Sequence, residues 1–402
     1  MSNSEKILAF ALVVRVLFLI AVPADELFQP RTLSAYNDEQ AHFQHILHYR
    51  YHNSRPLQTN SVAEAYPQRI FNYEYYQSPL YYFLCGRILR IMPEYFANVH
   101  LFRFINCIIG IWTILIVGRC LKLLSSVYAA AAMVMLSLLG SMVRFNTTVT
   151  NDALLWLFSA YFAYYALLSL ANPKWLNILS MIFALSAAVW TKLAAVTLLP
   201  AMIFAVYSAY SPKKPLFRLL LSLLWSIPVL LLTLPLFLEN YADYGAIFPL
   251  STGSGSPVGS WQNLSLFALF SLANYYTHTF FFPFDNYWMG FFQACIFLFL
   301  GVVVLVIIFC AVKRFIIEFT TEQFFKKKPM IFLLLTLLTG VGGTLLMSLR
   351  YHQGEARMAF TALPAICFVL IYGSEKALGP YRKYILRLLP LLLALPYILL
   401  II

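Results

Sequence analysis

Charge is what this sequence has least of. Asp, Glu, Lys and Arg make up 11% of its 402 residues, against about a quarter in a soluble domain, while 61% are hydrophobic and the mean hydropathy is +0.75. So few charges cannot cover a water-facing surface, which excludes an ordinary soluble protein and makes lipid the main solvent. Paired cysteines are lacking too. Cys107, Cys120, Cys295, Cys310 and Cys367 sit within or at the ends of apolar runs, and none of the six shows CxxC spacing. That excludes a disulfide framework and a thiolate metal site. No A-x-A-like pattern marks a cleavage site at the first apolar run, so it reads as a retained span.

What is there is a series of apolar runs of about 17 to 23 residues, each long enough to cross about 30 Å of hydrocarbon as a helix. They lie near 7–23, 99–121, 126–144, 152–171, 175–191, 192–209, 216–238, 289–312, 329–349, 358–373 and 384–402. The fold class expected is therefore an all-α polytopic membrane protein of about eleven helices. It forms a single transmembrane domain over 1–402, with no separate soluble domain. Trp190, Thr191 and Lys192 alone interrupt the fifth and sixth runs, and those two helices can also be read as a re-entrant pair.

The net charge of +12 reports topology and not nucleic-acid binding. With the N-terminus inside, the segments containing Arg119 and Lys122, Lys174, Lys213 and Lys214, Lys313 through Lys328, and Lys376 through Arg387 all fall on the cytoplasmic side. A large first loop, 24–98, a second, 239–288, and the turns 146–152 and 350–357 fall outside. Two sequons, Asn146-Thr147-Thr148 and Asn263-Leu264-Ser265, also fall there. The second loop divides into a Gly/Ser/Pro stretch, 251–260, and an aromatic stretch through Tyr275, Tyr276 and Trp288, suited to a lid and to the interfacial belt.

Ionisable groups gather at the outer edge, where they need a reason. The first outer loop is expected to contain juxtamembrane helices. It opens with Asn37-Asp38-Glu39-Gln40-Ala41-His42-Phe43, followed by His45, His48 and His52. In a helix, Asp38 and Glu39 occupy the first turn and His42 lies one turn after Asp38, which sets a carboxylate beside an imidazole. Such a pair suits a base and its orienter, or half of a metal site, and equally a capped interfacial helix. The loop ends in Gln77-Ser78-Pro79-Leu80-Tyr81-Tyr82, with Pro79 suited to a helix start and the tyrosines to the headgroup belt.

Taken with Thr150-Asn151-Asp152-Ala153 after the third run, these elements resemble the GT-C superfamily of membrane glycosyltransferases, most closely its protein O-mannosyltransferase and aminoarabinose transferase branch. The resemblance implies a GT-C-like bundle that moves a sugar, with inversion, from a polyprenyl-phosphate donor to a glycan, lipid or protein acceptor on the outer face. It implies residence in a membrane, the inner membrane of a bacterium, among membrane lipids and with no nucleic acid. Asp38 matches the family's catalytic base, Glu39 its companion, and Asp152 a second acidic position. His42, Gln77, Tyr81, Tyr82, Lys192, Arg350 and Arg357 are the substrate-binding candidates.

Two departures stand out. Ser78 replaces the first proline of Q-P-P-L-Y-Y, and Gln353-Gly354-Glu355-Ala356-Arg357 carries its arginine two positions beyond the family's Q-G-R-Y. No cofactor is certain; some branches use a divalent metal and others do not, which leaves a metal open. Lys192, Arg350 and Arg357 also suit snorkelling toward headgroups. Two other functions compete. A transporter or flippase for a lipid-linked or anionic substrate would place charges at the bilayer midplane and show repeated halves, and neither is visible here. A non-catalytic GT-C-like subunit is the other.

Overall fold

The computed structural model describes residues 2–21, 38–58, 74–210, 213–249, 290–319, 327–351 and 356–377. The last expected span, 384–402, and the stretch 251–288 lie outside these. Every regular element among the described residues is helical. In chain order they are α1 (Asn3–Ala21), α2 (Asp38–Tyr51), α3 (Leu80–Ile91), α4 (Val99–Lys122), α5 (Ser126–Leu138), α6 (Gly140–Asn146), α7 (Asp152–Ala171) and α8 (Trp175–Thr191). There follow α9 (Leu199–Ala209), α10 (Pro215–Tyr244), α11 (Gly290–Phe319), α12 (Lys328–Tyr351) and α13 (Leu363–Ala377). The 3₁₀ segments Leu193–Leu198 and Ala356–Ala362 lead into α9 and α13.

Three described helices, α4, α7 and α10, are each long and apolar enough to cross a membrane, and α5 with α6 makes a fourth if the bent pair counts as one span. The chain is a helical membrane protein. Helix α10 shows the lipid signature most plainly. Arg218, Ser222, Ser226, Val229, Thr233, Leu236 and Asn240 recur at helical spacing on its buried side, while Leu219, Leu223, Leu230 and Leu234 are exposed. Polar in and apolar out is the reverse of a water-soluble helix, and hydrocarbon is the solvent that favours it.

Local signals start the helices. The Asn98 side chain accepts from Leu101 N at 3.1 Å and Ser125 from Val127 N at 3.2 Å, capping α4 and α5. Helix α8 ends where Lys192 takes an extended conformation, at the expected interruption. The third apolar run, read from the sequence as one helix, instead bends by 65° between α5 and α6. Extended Leu139 deprives the carbonyls of Leu136 and Ser137 of their helical amides. Arg15, fully buried in the middle of α1, replaces them: Nη2 donates to Leu136 O at 3.3 Å and Nη1 to Ser137 O at 3.5 Å. Nη2 also reaches Asn146 Oδ1 at 3.3 Å. A cation at carbonyls left open by a helix end is favourable, more so without water.

Further polar contacts between distant elements lie toward the two ends of the bundle. Glu39 with Arg103, Asp152 with Lys192, and Arg55 with Asn240 mark one end. Tyr128 with Glu375, and Lys328 with Ser208, mark the other. Each pair joins helix ends that an alternating path assigns to the same side.

Close approach of α4 to α6 depends on Gly110, where a Cβ would overlap the Asn146 side chain, whereas a Cβ at Gly342 meets nothing within 4 Å. Gly110→Ala should therefore destabilise the folded protein by about 1–3 kcal/mol while Gly342→Ala is neutral. Thermal unfolding of both variants in detergent measures the difference; equal midpoints would show that α4 and α6 do not pack so closely.

Candidate active site

The site is built where helices stop. Glu39, in the first turn of α2, is buried, and its carboxylate is fully engaged: Arg103 Nε donates to Oε1 at 2.9 Å, Arg103 Nη2 to Oε2 at 2.7 Å, and Val149 N to Oε1 at 2.7 Å. Burial raises the Glu39 carboxyl above its usual range, and the Arg103 guanidinium opposes the rise. The bidentate pair ties α2 to α4, and the Val149 bond ties both to the segment between α6 and α7. Asn106, one turn after Arg103, holds the same segment through Thr148 O at 2.7 Å and Thr150 O at 3.1 Å, and accepts from Tyr81 OH at 3.1 Å.

That segment delivers Asp152, whose side chain has no access to solvent. Lys192 Nζ lies 2.7 Å from its Oδ1, and Arg357 Nη1 lies 3.4 Å from its Oδ2. Lys192 reaches it because α8 has just ended, and the open Thr191 carbonyl at that end accepts from Asn151 Nδ2 at 3.1 Å. Arg357 comes from the 3₁₀ segment before α13 and lies 4.4 Å over the Phe145 ring. Beneath it, Phe145, Trp156 and Phe360 pack edge to face or tilted. One carboxylate thus sits between two cations, all three from different breaks in the helical path.

The loop motifs close over this centre. Asn151 Nδ2 donates to Gln77 Oε1 at 2.5 Å, and Gln77 Nε2 to the Glu74 carboxylate. His42 Nδ1 lies 2.7 Å from Tyr82 OH, and its ring is within electrostatic reach of Lys192, Asp152 and Arg357. Burial, with Lys192 and Arg357 adding to it against Asp152, pushes His42 down to about 3. His45 stacks on Tyr82 with ring centroids 3.8 Å apart, and burial holds it well below the ordinary histidine value. Both imidazoles are neutral.

Of the sequence candidates, Glu39, His42, Gln77, Tyr81, Tyr82, Asp152, Lys192 and Arg357 therefore lie in one connected region. Asp38 begins α2 beside Glu39 and Arg350 lies near the end of α12, but their side chains are outside the described residues. Lys192 and Arg357 both point inward to Asp152, so neither snorkels. The first sequon faces inward: Asn146 and Thr147 are buried, and Asn146 holds Arg15. Asn263 lies outside the described residues. Arg103, Asn106 and Arg15 were not singled out from sequence. A charge or amide within an apolar run was the available signal.

Neither a family model nor a curated protein matches this sequence. Two crystal structures of the oligosaccharyltransferase from Archaeoglobus fulgidus do resemble the fold. The apo form aligns with a TM-score of 0.57 at 15% identity, covering 98% of this chain and 54% of that one. The complex with Zn and sulfate aligns with a TM-score of 0.52 at 14% identity, covering 98% and 51%. The likeness is one of fold. This chain spans about half the length of those proteins, and the O-mannosyltransferase and aminoarabinose branch draws no support from them. Asp152 and Glu39 have their oxygens engaged by cations and an amide, and among the described residues no group of three His, Cys, Asp or Glu converges.

Two outcomes are expected. Glu39→Gln should destabilise the protein by about 3–5 kcal/mol by stranding the buried Arg103, and Glu39→Leu with Arg103→Met should recover most of the loss, measured by denaturant unfolding. The second concerns pH. His42 and His45 resist protonation when folded but accept a proton near 6.5 when unfolded, so each makes stability fall as pH drops from about 6.5, to about 3 for His42, by up to about 1.4 kcal/mol per unit. His45→Phe, which keeps a ring against Tyr82, should remove one histidine's share of that slope; an unchanged slope in pH-dependent unfolding would contradict neutral burial.

Proposed function

We propose that this protein is an inverting glycosyltransferase of eleven spans that takes a sugar from a polyprenyl-phosphate donor at the non-cytoplasmic face of a bacterial inner membrane. The observation that carries the reading is the buried Asp152 with Lys192 and Arg357 on its two oxygens. One negative charge against two leaves a positive surplus in a setting of low dielectric, and such a surplus calls for an anion. A lipid phosphate supplies it. The GT-C likeness to an oligosaccharyltransferase supports a lipid-linked donor in general.

In this reading Asp38 takes the proton of the acceptor hydroxyl as its oxygen attacks the anomeric carbon. The bond from that carbon to the phosphate oxygen breaks on the opposite face, and the phosphate departs with the electron pair. Lys192, Arg357 and Arg350 neutralise the charge that grows on its oxygens, a role for positioned cations that strengthens toward the transition state. Asp152 aims the two cations, and Glu39 anchors the first turn of α2, so that Asp38 starts from a fixed helix. His42, Gln77, Tyr81 and Tyr82 shape the surrounding pocket as neutral hydrogen-bonding groups. Acceptors of glycan, lipid or protein type all present the hydroxyl this chemistry needs. A flippase would instead move a lipid-linked sugar without changing it.

Asp38→Asn keeps the shape but cannot accept the proton, so turnover should fall about 10²-fold or more while folding and insertion are retained. Mass analysis of lipid-linked sugars and surface glycans, with the protein, without it and with the variant, provides the measurement. Donor accumulation and loss of one sugar from an acceptor are expected in the variant. Near-normal glycans would remove Asp38 as the base, and a donor confined to the inner leaflet would favour a flippase.

A further inference from the structure

At the opposite end of the bundle lies a second concentration of positive charge that the transfer chemistry leaves unused. Helix α9 leaves the Lys192 break and ends there. Helices α10 and α12 begin there, then run back to Asn240 beside Arg55 and to the turn that carries Arg357. Arg218, in the first turn of α10, is only 6% exposed. Its Nε donates to Tyr207 O at 2.9 Å and its guanidinium lies 3.8 Å over the Tyr207 ring. Among the described residues those are its side-chain contacts: its terminal nitrogens meet no acceptor there and no carboxylate approaches. Lys328, at the start of α12, donates Nζ to Ser208 O at 3.1 Å and is close enough to Arg218 to feel its charge.

Of the other buried arginines, Arg103 has Glu39, Arg357 has Asp152, Arg15 has a cluster of carbonyls, and Arg144 lies over the Phe145 ring. Arg218 has one carbonyl and a second cation beside it. A cation withdrawn from water beside another is costly unless an anion sits between them. The inward-positive bias explains exposed Lys213 and Lys214, but a charge that only sets topology gains nothing from burial. The unused face of the guanidinium fork matches two oxygens of a tetrahedral phosphate, and the N-termini of α10 and α12 add partial positive charge. We propose that Arg218 and Lys328, where α9, α10 and α12 meet, hold a phosphate group, carried by an anionic lipid headgroup or by a free phosphate ion.

The test uses the full-length protein in phosphatidylcholine nanodiscs, with phosphatidylglycerol or with inorganic phosphate added. Binding is read by native mass spectrometry and by the unfolding midpoint. One bound phosphatidylglycerol surviving delipidation, with a raised midpoint, assigns the site to a headgroup; the same rise with inorganic phosphate assigns it to a free ion. Arg218→Gln should weaken binding at least about fivefold, Arg218→Lys less, and exposed Lys213→Gln should leave it unchanged. Should Arg218→Gln fail to fold, Lys328→Gln carries the same expectation. Neither additive binding, or binding equally strong in the variants, overturns the proposal.

Discussion

A carboxylate with no access to water has to be surrounded by positive charge, and much of this architecture can be read as the solution to that requirement at Asp152. The residue opens α7. Lys192 becomes available only because α8 stops and the chain turns extended, and Arg357 only because the chain enters a 3₁₀ segment before α13. Three interruptions, each of which would be unfavourable alone in hydrocarbon, are reconciled at one point. Their open backbone groups are met by side chains: Asn151 serves the end of α8, and Asn106 serves the segment before α7. Irregular backbone at membrane depth survives only where protein satisfies it, and that confines chemistry to such places.

Around this centre the electrostatics separate into a closed pair and an open one. Glu39 and Arg103 cancel each other with three hydrogen bonds on the carboxylate, and nothing remains for a ligand. Asp152 is outnumbered by cations. The closed pair fixes where α2 begins relative to α4, while the open one holds a surplus of positive charge. Burial keeps His42 neutral first of all, and the positive charges of Lys192 and Arg357 act in the same direction.

Much of this was legible in the linear chain. Apolar run lengths located the helices, and the polar interruption at Trp190-Thr191-Lys192 marked the true end of α8. Glu39, Gln77 and Asp152, singled out in three separate short motifs, lie in one connected region, each at or near a helix end. The bend between α5 and α6 was not legible. Nothing in the apolar pattern of residues 126–144 changes at Leu139, and the group that makes the bend tolerable, Arg15, lies in another helix. Arg103 and Asn106 were hidden for a related reason: within an apolar run a single polar residue reveals that it needs a partner, but not which one. Glu39 drew its candidate role from the resemblance, and what the sequence did not show is that Arg103 and Val149 occupy its oxygens.

Arg15 also sets a timetable for biosynthesis. Its partners on α5 and α6 lie 121 to 131 residues further along the chain. At roughly 5–20 residues per second they emerge on the order of ten seconds after α1 itself. During that interval the guanidinium within α1 has, of its hydrogen-bond partners described here, only the Ala11 carbonyl of its own helix. Helix α1 therefore waits for a part of the chain made well after it, the bent pair α5 and α6, before its buried guanidinium gains these partners.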